Sequence, residues 1–267
     1  ITNYFTIARH LVSASGTVPT PLRLFSVGST AFHLTSKPSI RRLSVQEVAD
    51  MFQLTDLPSA LSCFVAFKKD NGPSTLAPIG GHRRSNGSIL LFDELQVWFK
   101  LHIQGYNFHI RDQVLPAQTL FCTPPSTSWP FGRYDAALVT TSPNSTWPDT
   151  GLQGHTVVQL QLLMHPIPKK NLSGQLYDHF LMYVQCFNLV QHHIEMGMPL
   201  LKRATHANGE HLGDIIPISQ LRSYINVLPH FGAVADPCLT ECNSLKHSQE
   251  FFLNKYFDKN IMFSLQC

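Results

Sequence analysis

Apolar residues recur along this chain first at helical and then at strand-like spacing, and the change falls near residue 88. Tyr4, Phe5, Ile7, Ala8 and Leu11 form a helical stripe in residues 1–14, ended by Ser15-Gly16 and the prolines at 19 and 21. Residues 22–34 (LRLFSVGSTAFHL) are β-prone but broken by Gly28, which predicts extended chain. Ser44-Val-Gln-Glu47 is a capping box: the Ser44 hydroxyl accepts from the third amide of the helix while Glu47 reaches back. Val45, Val48, Ala49 and Phe52 follow on one face. A second helix starts at Asp56-Leu57-Pro58, with proline just inside the start, and continues through Leu61, Phe64 and Val65 to Lys68. Residues 70–87, with Gly80-Gly81 and Arg83-Arg84, read as a loop and a domain boundary. The expected division is an N-terminal helical and extended segment, 1–87, and a β-rich domain, 88–267.

Beyond residue 88 the period falls to two. Leu95, Val97, Phe99, Leu101 and Ile103 alternate with Gln96, Trp98, Lys100 and His102 in the run 92–110. Further strands are predicted over 114–122, 136–141, 156–165 and 181–192, separated by loops at 123–131, 142–151 and 169–178. Within 156–165, Val157, Gln159 and Gln161 alternate with Val158, Leu160 and Leu162. Asn208-Gly209 is a two-residue hairpin signal, because a type I′ turn needs positive φ at both central positions. It predicts that the apolar run at Leu200-Leu201 pairs with the one through Leu212, Ile215, Ile216 and Ile218. A short turn at 217–221 and a last strand at 224–228, stopped by Pro229 and Gly232, complete a five-stranded, Src-homology-like barrel over 155–232. Residues 244–257, with Leu245, Phe251, Phe252, Leu253, Tyr256 and Phe257, read as a closing helix. The expected fold class is α+β, mainly β.

Composition agrees. Eighteen prolines and only 14% charged residues suit a loop-rich β protein better than a helical or disordered one. No apolar run approaches the ~18 residues of a membrane span. The sequence shows no secretory signal and opens on Ile1 rather than Met, so the expectation is an excised piece of an intracellular protein. Its six scattered cysteines then read as reduced thiols. The net charge is only +3, but residues 1–90 carry nine Lys/Arg against four Asp/Glu, and the remainder eleven against thirteen.

Chemistry is sparse. Cys238 and Cys242 have zinc-ligand spacing near His230 and His247, but no second pair of ligands completes the pattern. His192 and His193 fall on opposite faces of a strand. No G-x-S-x-G elbow occurs. Gly151-Leu-Gln-Gly154-His155 lacks the Gly-Lys-Ser/Thr of a phosphate loop and precedes a strand. Asp93, Asp112, Asp135, Asp149, Asp214 and Asp236 lie mostly at turns, outside the βαβ alternation expected around a two-metal site. The reading therefore assigns no catalytic, metal, cofactor or small-molecule site. What remains is basic and aromatic. Arg41-Arg42, Arg83-Arg84, Lys202-Arg203 and Arg222 are candidate nucleic-acid contacts. Trp129, Tyr134 and Trp147, in Pro-rich loops, are candidate partner contacts.

A set of short runs covers nearly the whole chain: S-T-A-F-H-L (Ser29–Leu34), L-S-V-Q-E-V-A (Leu43–Ala49), V-W-F-K-L-H-I-Q (Val97–Gln104), P-F-G-R-Y-D (Pro130–Asp135), G-L-Q-G-H-T-V-V-Q-L (Gly151–Leu160), G-E-H-L-G-D-I-I-P-I-S-Q-L-R (Gly209–Arg222) and L-N-K-Y-F-D-K (Leu253–Lys259). Together they resemble the C-terminal region of Plavaka-type transposases, of the KDZ group of basidiomycete DNA transposons. The resemblance implies a domain of unknown function that follows the catalytic core, with the metal-binding carboxylates upstream and without counterparts here. Cys238, Cys242 and the short segment between His192 and Met198 depart from that pattern. The expected function is a non-catalytic accessory module of a nuclear, fungal transposase, binding DNA or a partner beside the upstream catalytic domain. The other reading is a protein-interaction or chromatin-reading barrel of a domesticated, transposon-derived protein.

Overall fold

The computed structural model describes residues 2–14, 23–80, 90, 92–110, 112–168, 179–192, 196–205, 209, 211, 213–232, 234, 237–240 and 243–265. It is mainly β, and every strand pair among these residues is antiparallel.

Two long strands carry the larger sheet: β9 (His155–Ile167) and β10 (Leu181–His192). They pair with each other through residues 158–164 and 181–186. Each then accepts two shorter strands in succession along its other edge. On β9 these are β8 (Ala136–Thr140) and β4 (Glu94–Trp98), the latter extended by β3 (Ile40–Ser44). On β10 they are β12 (Gly213–Pro217) and β11 (Pro199–Arg203). β11 continues into β15 (Glu250–Leu253) and the edge strand β14 (Val227–Pro229), and β8 into β13 (Leu221–Ile225). The smaller sheet has the order β1 (Leu24–Val27), β2 (Thr30–His33), β5 (Lys100–Gly105), β6 (Gln118–Thr123) and β7 (Arg133–Tyr134).

The chain crosses between the sheets in the β2–β3 connection and again at two corners. The expected single strand through Phe99 is interrupted there, so β4 belongs to the larger sheet and β5 to the smaller. Asp135 is the second corner. Its amide donates to the Phe121 carbonyl (3.0 Å), its carbonyl accepts from the Leu160 amide (2.9 Å), and its carboxylate accepts from the Phe121 amide (2.8 Å).

Helices cover one face. The capping box forms as expected: Glu47 N donates to Ser44 Oγ, and Ser44 N donates to Glu47 Oε2 at 2.8 Å, at the start of α2 (Val45–Phe52). Helix α3 (Leu57–Asn71) follows. Phe52, Leu57, Leu61 and Phe64 join Leu95, Leu162, Val184 and Ile216 in the main core, which also takes Phe32 and Leu101 from the smaller sheet. That core draws on residues from both sides of residue 88. Helix α1 (Tyr4–Ala14) lies on the smaller sheet, with Phe5 stacked on Tyr106 (4.3 Å) and Tyr4 on His33 (4.9 Å). A second, smaller core on the other face of the large sheet contains Val157, Phe187, Leu201, Ile225 and Phe251.

Three expectations are corrected. The strands on either side of Asn208-Gly209 exist, but β11 and β12 both pair with β10 rather than with each other. Among the described residues only the Thr205–His211 bridge joins the two arms, and Asn208 lies outside them. Consequently the described strands form an open path, without a closed five-stranded ring. The closing helix is also replaced: α4 is confined to Ser244–His247, and Phe251 and Leu253 are buried on β15 with Phe252 between them. A short helix, α5 (Lys259–Ser264), comes later. The turn at 217–221 is a single 3₁₀ turn, Ile218–Gln220.

Candidate functional site

The smaller core gives way to polar residues on the same strand face, because Gln159 and Gln161 follow Val157 at a spacing of two. Gln185 on β10 stands opposite Gln159 in the ladder. The Gln161 side-chain amide donates to Gln159 Oε1 (3.0 Å) and Gln185 Oε1 (3.2 Å), and Gln159 Nε2 donates to the Tyr134 carbonyl (3.0 Å). This amide row forms the floor of a cleft of about 780 Å³, which lies between the 129–135 loop, the end of α2 and the α4 turn.

Arg203 sits beside the row and is only 5% exposed. Its guanidinium donates to Gln159 Oε1 (2.9 Å), to the Ser248 carbonyl (3.3 Å) and to the Leu245 carbonyl, and lies 5.3 and 5.0 Å from the Phe187 and Phe251 rings. All three acceptors are neutral, so among the described residues this buried cation has no carboxylate partner. Burial pushes its pKa down to about 10. His211, also lining the cleft, is held below the usual imidazole range by burial and then by Arg203, and its Nδ1 has no hydrogen-bond partner among the described residues.

The rim is aromatic and cationic. Trp129 is 38% exposed, and the Arg133 guanidinium lies 5.3 Å from its ring and 3.8 Å from that of Phe121. Lys246 Nζ is 5.3 Å from the Phe131 ring, and His247 meets Phe131 edge-on at 5.5 Å. Among the described residues the lining includes three permanent cations, Arg133, Arg203 and Lys246, against the one carboxylate of Asp135. That carboxyl is raised by burial, against the lowering effects of the Phe121 amide and of Arg133 at 3.9 Å. Its bond to the sheet corner already gives it a structural role.

The candidates read from sequence are thus redistributed. Trp129, Tyr134 and Arg203 come together in the cleft, although Tyr134 is half-buried rather than exposed. Trp147 is half-buried too: it packs on the smaller core, meets His155 edge-on (5.7 Å), and lines a separate recess of about 210 Å³ with Arg222. Arg222 turns its guanidinium onto the Ser219 and Leu221 carbonyls (2.7 and 2.8 Å), which stabilises the turn. Lys202 and Arg203 point to opposite faces of β11, so Lys202 is exposed and the pair is not one patch. Arg41 and Arg42 are exposed on β3, separated from β11 by β4, β9 and β10, and Arg42 pairs with Glu94 (2.8 Å). Arg83 and Arg84 lie outside the described residues.

Sequence reasoning missed Gln159, Gln161, Gln185, Phe131 and Lys246. A signal existed for the first two: glutamines replace the apolar member of an alternating run. Among the described residues no three His, Cys, Asp or Glu side chains are grouped to hold a metal ion, and Cys242 and Asp236 lie outside them. No described helix is long and apolar enough to cross a membrane.

Comparison with known families finds a match to a domain of unknown function (DUF6830) over residues 5–204. That span contains Trp129, Tyr134, the glutamine row and Arg203. No curated protein and no solved structure matches.

Proposed function

Since the chain belongs to the DUF6830 family of domains of unknown function, we propose that it is a non-catalytic binding module that engages DNA through the Trp129–Arg203 cleft. In this reading it is the accessory C-terminal part of a Plavaka-like, KDZ-type fungal transposase. It works in the nucleus beside an upstream catalytic domain, which the spread of similar runs from Ser29 to Lys259 supports. The observation that carries the binding role is the composition of the cleft among the described residues: three permanent cations against one carboxylate, aromatic residues at the rim, and side-chain amides on the floor. Cations attract the phosphate backbone, aromatics stack on bases, and amides bond to base edges.

Fluorescence anisotropy with labelled DNA over a salt series tests the reading. The expected result is affinity that falls steeply with salt and is weakened by Lys246→Gln. Affinity for every DNA form too weak to detect even at low salt would refute it.

A protein-interaction module is the second reading, favoured by one observation. Leu228 on the edge strand β14 and the nearby Phe231 are large apolar residues left 40% and 46% exposed. Edge strands with apolar side chains are templates for a partner chain. Retention of all captured proteins by a Phe231→Asp variant would remove this reading.

A further inference from the structure

The cleft is graded with depth. Trp129, Lys246 and His247 are exposed at its rim, Phe131, Arg133, Tyr134 and Gln185 are half-buried, and Gln159, Gln161 and Arg203 are buried at its floor. On the floor the hydrogen bonds do not close. Gln161 Nε2 is used twice and Gln159 uses both ends of its amide, yet Gln161 Oε1 and Gln185 Nε2 make no hydrogen bond among the described residues. An acceptor and a donor therefore stand side by side in the lining. Neither atom is among the buried unpartnered ones, so each is open to solvent and to a ligand that takes the place of water.

A ligand that answers these features has a flat end with adjacent donor and acceptor atoms, and an anionic end a short distance away. A nucleotide unites both in one unit. The Watson–Crick edge of every nucleobase sets a donor beside an acceptor, and in a duplex that edge is already paired. We infer that the cleft takes a single unpaired nucleotide of a DNA strand, with its base on the Gln161–Gln185 amide pair and its phosphate at the rim near Lys246 and Arg133. The cavity, about 780 Å³, lies within the ~300–1,000 Å³ of sites that enclose small ligands. Trp129 and Phe131 offer ring surface at the depth where the base enters. Arg203 lies beside the inserted group with a positive charge that no described side chain neutralises. This inference rests on the DNA-binding reading above and narrows it from DNA to unpaired DNA.

The test compares fluorescein-labelled oligodeoxyadenosine, oligodeoxythymidine and their duplex as probes of the full chain, with an acidic polyglutamate peptide as the protein-like control. Single strands should bind at least about ten-fold more tightly than the duplex, and Trp129→Ala should remove about ten-fold of that affinity. Deoxyadenosine monophosphate should compete, and should quench tryptophan fluorescence in the wild type but not in Trp129→Ala. Because Trp129 is exposed, this variant leaves the core intact, and Gln185→Leu provides a second change, at the floor. Duplex bound as tightly as single strand, with Trp129→Ala unchanged, overturns the nucleotide inference and leaves the DNA-binding reading standing. Binding of none of the three nucleic-acid probes overturns both. Displacement by polyglutamate without any effect of the mononucleotide overturns the inference in favour of a protein ligand.

Discussion

The Tyr183 hydroxyl fills the space that a side chain on residue 213 would need. Tyr183 and Gly213 are diagonal neighbours on β10 and β12, and the hydroxyl continues past the glycine to Asp56, donating to Oδ1 and Oδ2 at 2.7 and 2.9 Å. Asp56 is the residue before α3, yet its carboxylate makes no capping bond to the helix. The tyrosine therefore ties the helix start to the centre of the larger sheet.

Gly213→Ala should destabilise the fold by about 1–3 kcal/mol, because the core must shift to admit the methyl group. Tyr183→Phe should cost about 1.5–3 kcal/mol, the range for hydrogen bonds to charged groups. Urea titrations of both single variants and the double variant check this. The double variant should be somewhat less destabilised than the sum, since the phenylalanine removes the nearest colliding atom, but the relief is partial because the ring carbons Cζ and Cε1 still meet the methyl group.

Arg203 should tolerate no conservative exchange. Lysine cannot satisfy Gln159, Ser248 and Leu245 together from one ammonium group, whereas the guanidinium reaches all three. Arg203→Lys is expected to lower stability by about 1–3 kcal/mol, the cost of leaving a buried acceptor unsatisfied. Chemical denaturation measures it.

Acid should weaken the fold through its buried histidines. His33 and His102 stack at 5.6 Å, and burial holds both below the usual imidazole range, His102 further through His33 and Lys100. Burial also lowers His155 and His211. With folded values below the unfolded one, the unfolded chain takes up protons first. Their stability contribution is complete above the unfolded value of about 6.5 and is lost as pH falls from there through the folded values. The urea midpoint should be flat near neutrality and decline below it. His33→Phe, which sacrifices no hydrogen bond at Nδ1, should make the decline shallower.

Local order was legible in the sequence where it is set by neighbours along the chain. The capping box at Ser44–Glu47 and the proline at the start of α3 were readable because their partners lie within one helical turn. The full extent of β10, Leu181–His192, was readable from its apolar length. Pairing was not. A turn signal at Asn208-Gly209 specifies a chain reversal, but β10 is long enough to take both arms in succession along one edge. The run at 251–253 is too short for periodicity to separate strand from helix. The cleft was half visible: a strand alternates its side chains, so Lys202 and Arg203 could never form one surface patch. Its floor was obscured because nothing along the chain shows that the 129–135 loop and α4 enclose the face carrying Gln159, Gln161 and Gln185.

The basic pair at Arg41 and Arg42 should contribute little. Arg42 is held by Glu94, and both lie across three strands from β11. Exposed ion pairs are worth about 0–1 kcal/mol, so Arg42→Gln should leave the denaturation midpoint nearly unchanged. The double change Arg41→Gln with Arg42→Gln should reduce DNA affinity less than Lys246→Gln alone, read by anisotropy at one salt concentration.

Photo-crosslinking of a bromodeoxyuridine-substituted single strand to the full chain, with the attachment sites read by mass spectrometry, locates the bound strand. The cleft account predicts adducts on the peptides carrying Trp129, Phe131 and Tyr134, lost when unlabelled single strand is added in excess. Adducts concentrated on the Arg41–Arg42 strand, with none on the 129–134 loop, would contradict it.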